Sequence, residues 1–81
     1  MKTVAVTPEM ARNWLAHAVG DGMRQNPGAI TRYAGIMASG RWTSREQEPI
    51  IFAGNRLLDG HHRLHAVVKS GATIVFYVRE K

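Results

Sequence analysis

The chain contains no cysteine, which removes the disulfide frameworks and thiolate metal sites that brace many small domains. Long apolar runs are missing too. No segment approaches the ~18 apolar residues of a membrane-spanning helix. The opening MKTVAVTPEM has none of the apolar stretch of a secretory leader. Acidic residues are scarce: six Asp and Glu stand against eleven Lys and Arg, a formal net charge of +5. There is no internal repeat, no low-complexity tract and no linker long enough to divide the chain. The Walker A phosphate loop, the GxGxxG fingerprint and the GxSxG nucleophile elbow are all absent. These absences leave one expectation: a soluble cytoplasmic protein with no membrane contact, folded as a single domain over residues 1–81. Its core must be modest, because a chain this short buries only roughly 60% of its extended surface.

Arginine dominates the basic set. Its planar fork suits bidentate contacts to phosphate and carboxylate better than lysine does. The excess of positive charge therefore favours a polyanionic partner, whether nucleic acid, nucleotide or an acidic protein surface.

The pattern of apolar residues and turn residues predicts seven elements. Lys2 to Val6 alternates weakly and is rich in Thr and Val, as a short strand is. Thr7-Pro8-Glu9 opens a helix with a hydroxyl cap, proline at the first helical position and an acid in the first turn. Met10, Trp14, Leu15 and Ala18 share its inner face, and Gly20 stops it. The run GDGMRQNPG (20–28) reads as a loop. A second helix starts at or just after Asn26-Pro27, with Ile30, Tyr33, Ala34, Met37 and Ala38 as its stripe and Gly40 as its terminator. Trp42 is expected to pack beneath the loop that follows, and Ser44 to Glu48 to be a polar surface segment. Ile50–Phe52 and Arg56–Leu58 form a hairpin around Ala53-Gly54-Asn55. Asp59 is expected to cap a third helix whose inner side is Leu64, Val67 and Val68, ending at Gly71. Thr73–Val78 (TIVFYV) is a mostly buried strand. The order β-α-α-β-β-α-β describes a small α+β domain: three helices on a mixed sheet.

Chemistry concentrates in LLDGHHRLHAVVKSG, Leu57 to Gly71. Amides in the first turn of a helix lack intrahelical acceptors and sit at the positive end of the helix dipole. A phosphate fits there, and Gly60 would let it approach the backbone. Arg63 can fork onto its oxygens, and His61 and His62 can add donors. Against this stands Asp59, whose carboxylate can take the same amides as an ordinary cap. Arg32 and Arg41 are candidates to complete the ring around an anion, with Glu48 in support. Arg24 also flanks the second helix and could join that ring, whereas Arg45 and Arg56 have the simpler reading of solvated side chains.

Catalysis has a thinner basis. His61 and His65 stand at i and i+4, but His62 occupies the ground where HExxH has its glutamate, so the zincin pattern fails. Ser39, Ser44 and Ser70 sit at helix ends or in loops. Asp59, His61 and His62 are the candidate acid and base residues, since histidine titrates near neutrality. Asp59 or Glu48 could hold a Mg2+ that accompanies a bound nucleotide. No paired acidic cluster of the two-metal type is present.

LLDGHHRLHAVVKSGATIVFYV resembles the phosphate-binding segment of the ParB N-terminal/sulfiredoxin-like superfamily, in which strand, Gly-x-x-Arg turn, helix and strand follow one another. The Asp-Gly-x-His-Arg variant looks like the short ParB-like proteins of phages and mobile elements. ITRYAGIMASGRW followed by EPI resembles the segment those proteins place ahead of the site. The likeness spans residues 3 to 79. It implies that Gly60 and Arg63 are the motif's glycine and arginine, with His61 and His62 in its variable middle. It also implies a nucleotide such as CTP or ATP, or DNA, as ligand. His61 stands where sulfiredoxins carry their reactive cysteine, so sulfiredoxin activity is not expected. The helix-turn-helix and dimerisation regions of the partition proteins have no counterpart in these residues.

Three functions are therefore expected in order: a phosphate-ligand binding module, a metal-dependent nuclease or weak NTPase, and a phage accessory protein that inhibits a host protein. Monomer and homodimer are both open, with Trp14, Met23 and Trp42 available for a dimer surface.

Overall fold

A computed structural model of the chain describes residues 2–17, 27–43 and 49–81. Its elements are β1 (Lys2–Val6), α1 (Pro8–Ala16), α2 (Pro27–Ala38), β2 (Ile50–Ala53), β3 (Arg56–Asp59), α3 (His61–Ser70) and β4 (Ile74–Glu80). This is the expected order, and the fold is a small α+β domain with a four-stranded mixed sheet in the order β1-β4-β2-β3. Residues 18–26 and 44–48, with Ala18, Met23, Arg24, Arg45 and Glu48 among them, lie outside the described residues.

The helix boundaries follow local chemistry. Thr7 Oγ1 accepts the Met10 amide at 3.1 Å, and Pro8 and Glu9 occupy the first turn of α1. The inner stripe of α2 is narrower than its spacing implies: Ala34 and Met37 are buried, Ile30 and Tyr33 half-buried, and Ala38 exposed. Its end is a Schellman motif. Gly40 takes φ 78°, the Arg41 amide donates to the Ile36 carbonyl at 3.1 Å, and the Gly40 amide donates to Met37 at 3.1 Å. The chain that leaves α2 is thereby aimed, and Arg41 and Trp42 are set against the rest of the domain. Gly71 ends α3 in the same left-handed conformation.

The hairpin is tighter than expected. Ala53 pairs with Arg56, so only Gly54 and Asn55 make the turn, with Gly54 at φ 60°. Ile51 pairs with Asp59 and Phe52 with Leu57, which leaves Leu58 as a bulge. Strands β2 and β4 run parallel and overlap only from Ile50–Val78 to Phe52–Glu80. β1 and β4 pair antiparallel along their length, from Lys2–Val78 to Val6–Ile74. β4 alternates cleanly: Ile74, Phe76 and Val78 are buried between more exposed neighbours. Phe76, Ile50, Leu57, Leu64, Val6 and Val67 are the largest fully buried side chains and form the core between sheet and helices.

The start of α3 differs from the sequence expectation. Asp59 does not cap the helix. It is the last residue of β3, held there by its pairing with Ile51, and the N-cap is Gly60. No side chain caps α3, and the Leu64 amide closes the first turn onto the Gly60 carbonyl at 3.0 Å. The change from strand to helix is made in one residue, at φ 113° and ψ 13°. Gly60 is buried, and a Cβ there would collide with Ile50 Cδ1. Positive φ and lost space act together, so Gly60→Ala is expected to lower unfolding stability by about 3 kcal/mol, the sum of left-handed backbone strain and overpacking. Gly54→Ala, at a turn open to solvent, should cost only the strain. Urea unfolding of both variants measures the difference.

Candidate functional site

The short overlap of β2 with β4 shapes the site. The pairing begins at Ile50–Val78, so the first half of β4 extends past the start of β2. Trp42 packs beside it: its ring meets Phe76 at 6.1 Å between centroids and Tyr33 at 5.4 Å, both edge to face. Next to this aromatic wall lies a cavity of about 660 Å3. Arg41, Arg63, Arg79 and Asp59 line it together with Tyr33 and Trp42.

Each charged side chain arrives by a different route. Arg41 follows the Schellman turn of α2. Arg63 lies in the first turn of α3, where its Nη2 donates to the Pro49 carbonyl at 3.4 Å. Asp59 and Arg79 lie on either side of Ile51, since Ile51 pairs with both. Two strand spacings put their backbones about 10 Å apart. The Trp42 indole N–H is buried with no hydrogen-bond partner. Three guanidinium groups make the wall rich in donors, and Asp59 is its one carboxylate among the described residues.

The structure thus brings together Asp59, Arg63 and Arg41 of the sequence candidates. Gly60 sits beside them, but its missing side chain makes room for Ile50 and not for a ligand. His61 and His62 are not among the lining residues. His61 is only 6% exposed and turned into the core, and His62 is half-buried. The Arg32 guanidinium lies 5.6 Å from the centroid of the Tyr33 ring and does not line the cavity. Glu48 lies outside the described residues. Among the described residues no three His, Asp or Glu side chains gather as a metal cage, so Asp59 would have to share any cation with ligand oxygens.

Arg79 is the residue that the sequence reading missed. It is exposed at the end of a strand and lies 16 positions beyond Arg63. Only the parallel register of β4 on β2 carries it to the cavity. An arginine at the polar phase of an alternating strand was the one available hint.

His61 is an unusual helix opener. Neither ring nitrogen has a hydrogen-bond partner. Burial pushes its pKa below the ordinary 6.5 and outweighs the opposing pull of Asp59, while His65 and His62 push the same way. His65 is lowered too, by burial first and by His62 second. A histidine held neutral by the fold binds fewer protons in the native state than in the unfolded state. Stability is then fully present above pH 6.5 and declines as pH falls from there toward the depressed native pKa. Melting temperatures between pH 7.5 and 5 should fall accordingly. His61→Leu removes a buried group with unmade hydrogen bonds, and should flatten the slope to the part that His65 contributes. A slope unchanged in that variant would assign the acid sensitivity elsewhere.

No family model matches this chain, and neither any curated protein nor any solved structure does.

Proposed function

We propose that the protein binds a phosphate-bearing ligand, a nucleotide or nucleic acid, in the cavity lined by Arg41, Arg63 and Arg79. One observation carries this reading. Three arginines from separate parts of the chain line one hollow that, among the described residues, has a single carboxylate. Arg41 and Arg79 are exposed and Arg63 is half-buried, and their combined positive field favours an anionic ligand in the hollow. Arginine is also the side chain whose geometry matches phosphate oxygens. Tyr33 and Trp42 supply an aromatic wall beside the charges, as a nucleobase would need.

The spacing refines the ligand class. The Asp59 and Arg79 backbones stand about 10 Å apart across the cavity, so a ligand that extends along it can meet both side chains. A nucleoside phosphate is long enough, with its phosphates on the arginines and a hydroxyl, an amino group or a bound Mg2+ at Asp59. The resemblance of the Leu57–Val78 segment to the ParB N-terminal/sulfiredoxin-like superfamily supports the same reading, since Arg63 is the residue matched to the motif arginine.

The test is calorimetric titration with CTP, ATP, GTP and a short DNA duplex, with and without Mg2+. Saturable binding of at least one is expected. Arg79→Ala should weaken it roughly ten- to hundredfold, the equivalent of ~1.5–3 kcal/mol for a charge-assisted hydrogen bond. Arg32→Ala, outside the cavity, should leave it unchanged. If DNA is the ligand, affinity falls steeply with added salt. Equal loss in Arg32→Ala and Arg79→Ala, or no binding of any of the four, overturns the proposal.

A further inference from the structure

A second cavity, of about 760 Å3, lies on the other side of the same two strands. Phe52, Val78 and Glu80 line it, and they alternate along β2 and β4 with the Ile51 and Arg79 of the arginine-lined cavity. Side chains at successive strand positions point to opposite faces, so the two hollows are back to back and share no lining residue.

The floor is apolar. Val4 of β1, Val78 of β4 and Phe52 of β2 form it, and Trp14 of α1 stands edge-on to Phe52 at 5.0 Å. The surrounding backbone is tied from three directions. The Leu57 amide donates to the His17 carbonyl at 3.1 Å, the Lys81 amide donates to the Phe52 carbonyl at 2.7 Å, and the Gly54 amide donates to Glu80 Oε1 at 3.1 Å. The hollow is therefore built before any ligand arrives, and its volume falls in the range of small-molecule sites.

The rim sets the ligand's charge. Lys2 brings an ammonium group. His17 has Nδ1 engaged with the Asn13 carbonyl at 2.8 Å. Asn55 brings an amide. The opposing charge is Glu80, and one of its oxygens is already occupied by the Gly54 amide. Lys2 lies across from Val78, and Glu80 is two residues further along β4. That diagonal is within reach of long side chains, but the Gly54 amide holds the Glu80 carboxylate toward the hairpin, on the other side of β4 from β1. Among the described lining residues Lys2 and Glu80 carry the formal charges, so a singly charged anionic group fits on the Lys2 side, and a doubly charged phosphate meets the stronger repulsion from Glu80.

From this we infer that the cavity is a second ligand site, for a small molecule with an apolar, ring-sized body and a single carboxylate. The body lies on Val4, Val78 and Phe52 beside Trp14, and the carboxylate lies at Lys2. The inference is independent of the nucleotide reading, because no residue is common to the two cavities.

Three probes with one body and different heads test it: 3-phenylpropionate, 3-phenylpropanol and 3-phenylpropylamine, each titrated into the 15N-labelled chain. Phenylpropionate is expected to shift the amides of Val4, Phe52, Gly54 and Val78 saturably, with a Kd at least fivefold below those of the alcohol and the amine. Lys2→Glu, at an exposed strand end, should abolish or invert that preference. Arg79→Ala should leave it intact. Equal affinities for the three heads overturn the ligand class. Shifts centred on Trp42 and Arg79, or none that saturate, overturn the site.

Discussion

The contact of Gly60 with Ile50 is the point on which the rest of the domain turns. At Gly60 the chain passes from strand to helix within one residue, and it does so pressed against a fully buried isoleucine of the neighbouring strand. Close packing leaves no slack there, since an added methyl group has nowhere to go. The direction of α3 relative to the sheet is set by that contact. So is the placement of Leu64 and Val67 in the core. Asp59 and Arg63 sit four residues apart across the junction and end beside one cavity for the same reason.

Ile50 has a second role. Its pairing with Val78 fixes where β2 begins along β4. Because that beginning is late, β4 offers Phe76 to Trp42, and the aromatic wall is built there. The same register carries Arg79 to the arginine-lined cavity and Glu80 to the opposite one. Two sites of different chemistry, one polycationic and one amphipathic, thus follow from a three-residue overlap of parallel strands.

Local signals were legible in the chain itself. Thr7-Pro8-Glu9 reads as a helix start because each residue acts within one turn, and Gly40 and Gly71 read as helix ends because only their own backbone angles matter. The element order could be read from periodicity alone. Three features could not. Asp59 resembles a cap in sequence, but the strand pairing that claims it depends on Ile51. Gly60 resembles a glycine that admits a ligand, and its true neighbour lies ten residues away. His61 was grouped with polar ligand residues, whereas its ring is taken into the core. In each case a long-range contact overrode a correct local preference. Arg79 adds a fourth case: its place at the polar phase of an alternating strand marks it only as exposed, and the parallel register of β4 on β2 gives it a cavity to line.

The sheet order also has a consequence for biosynthesis. Of the described strands the last made, β4, lies between the first, β1, and the hairpin strand β2. Until residue 80 has left the ribosome, β1 has no neighbour to pair with, and β2 has only β3. The hairpin and the helices can form locally during translation, but the sheet closes in one late step in which β4 joins β1 to the hairpin. That step carries a large loop-closure cost, and the chain exposes unpaired strand edges while it waits. A nascent chain stalled before Ile74 would display those edges, making it a substrate for chaperones and proteases at a stage when most of its helices are already formed.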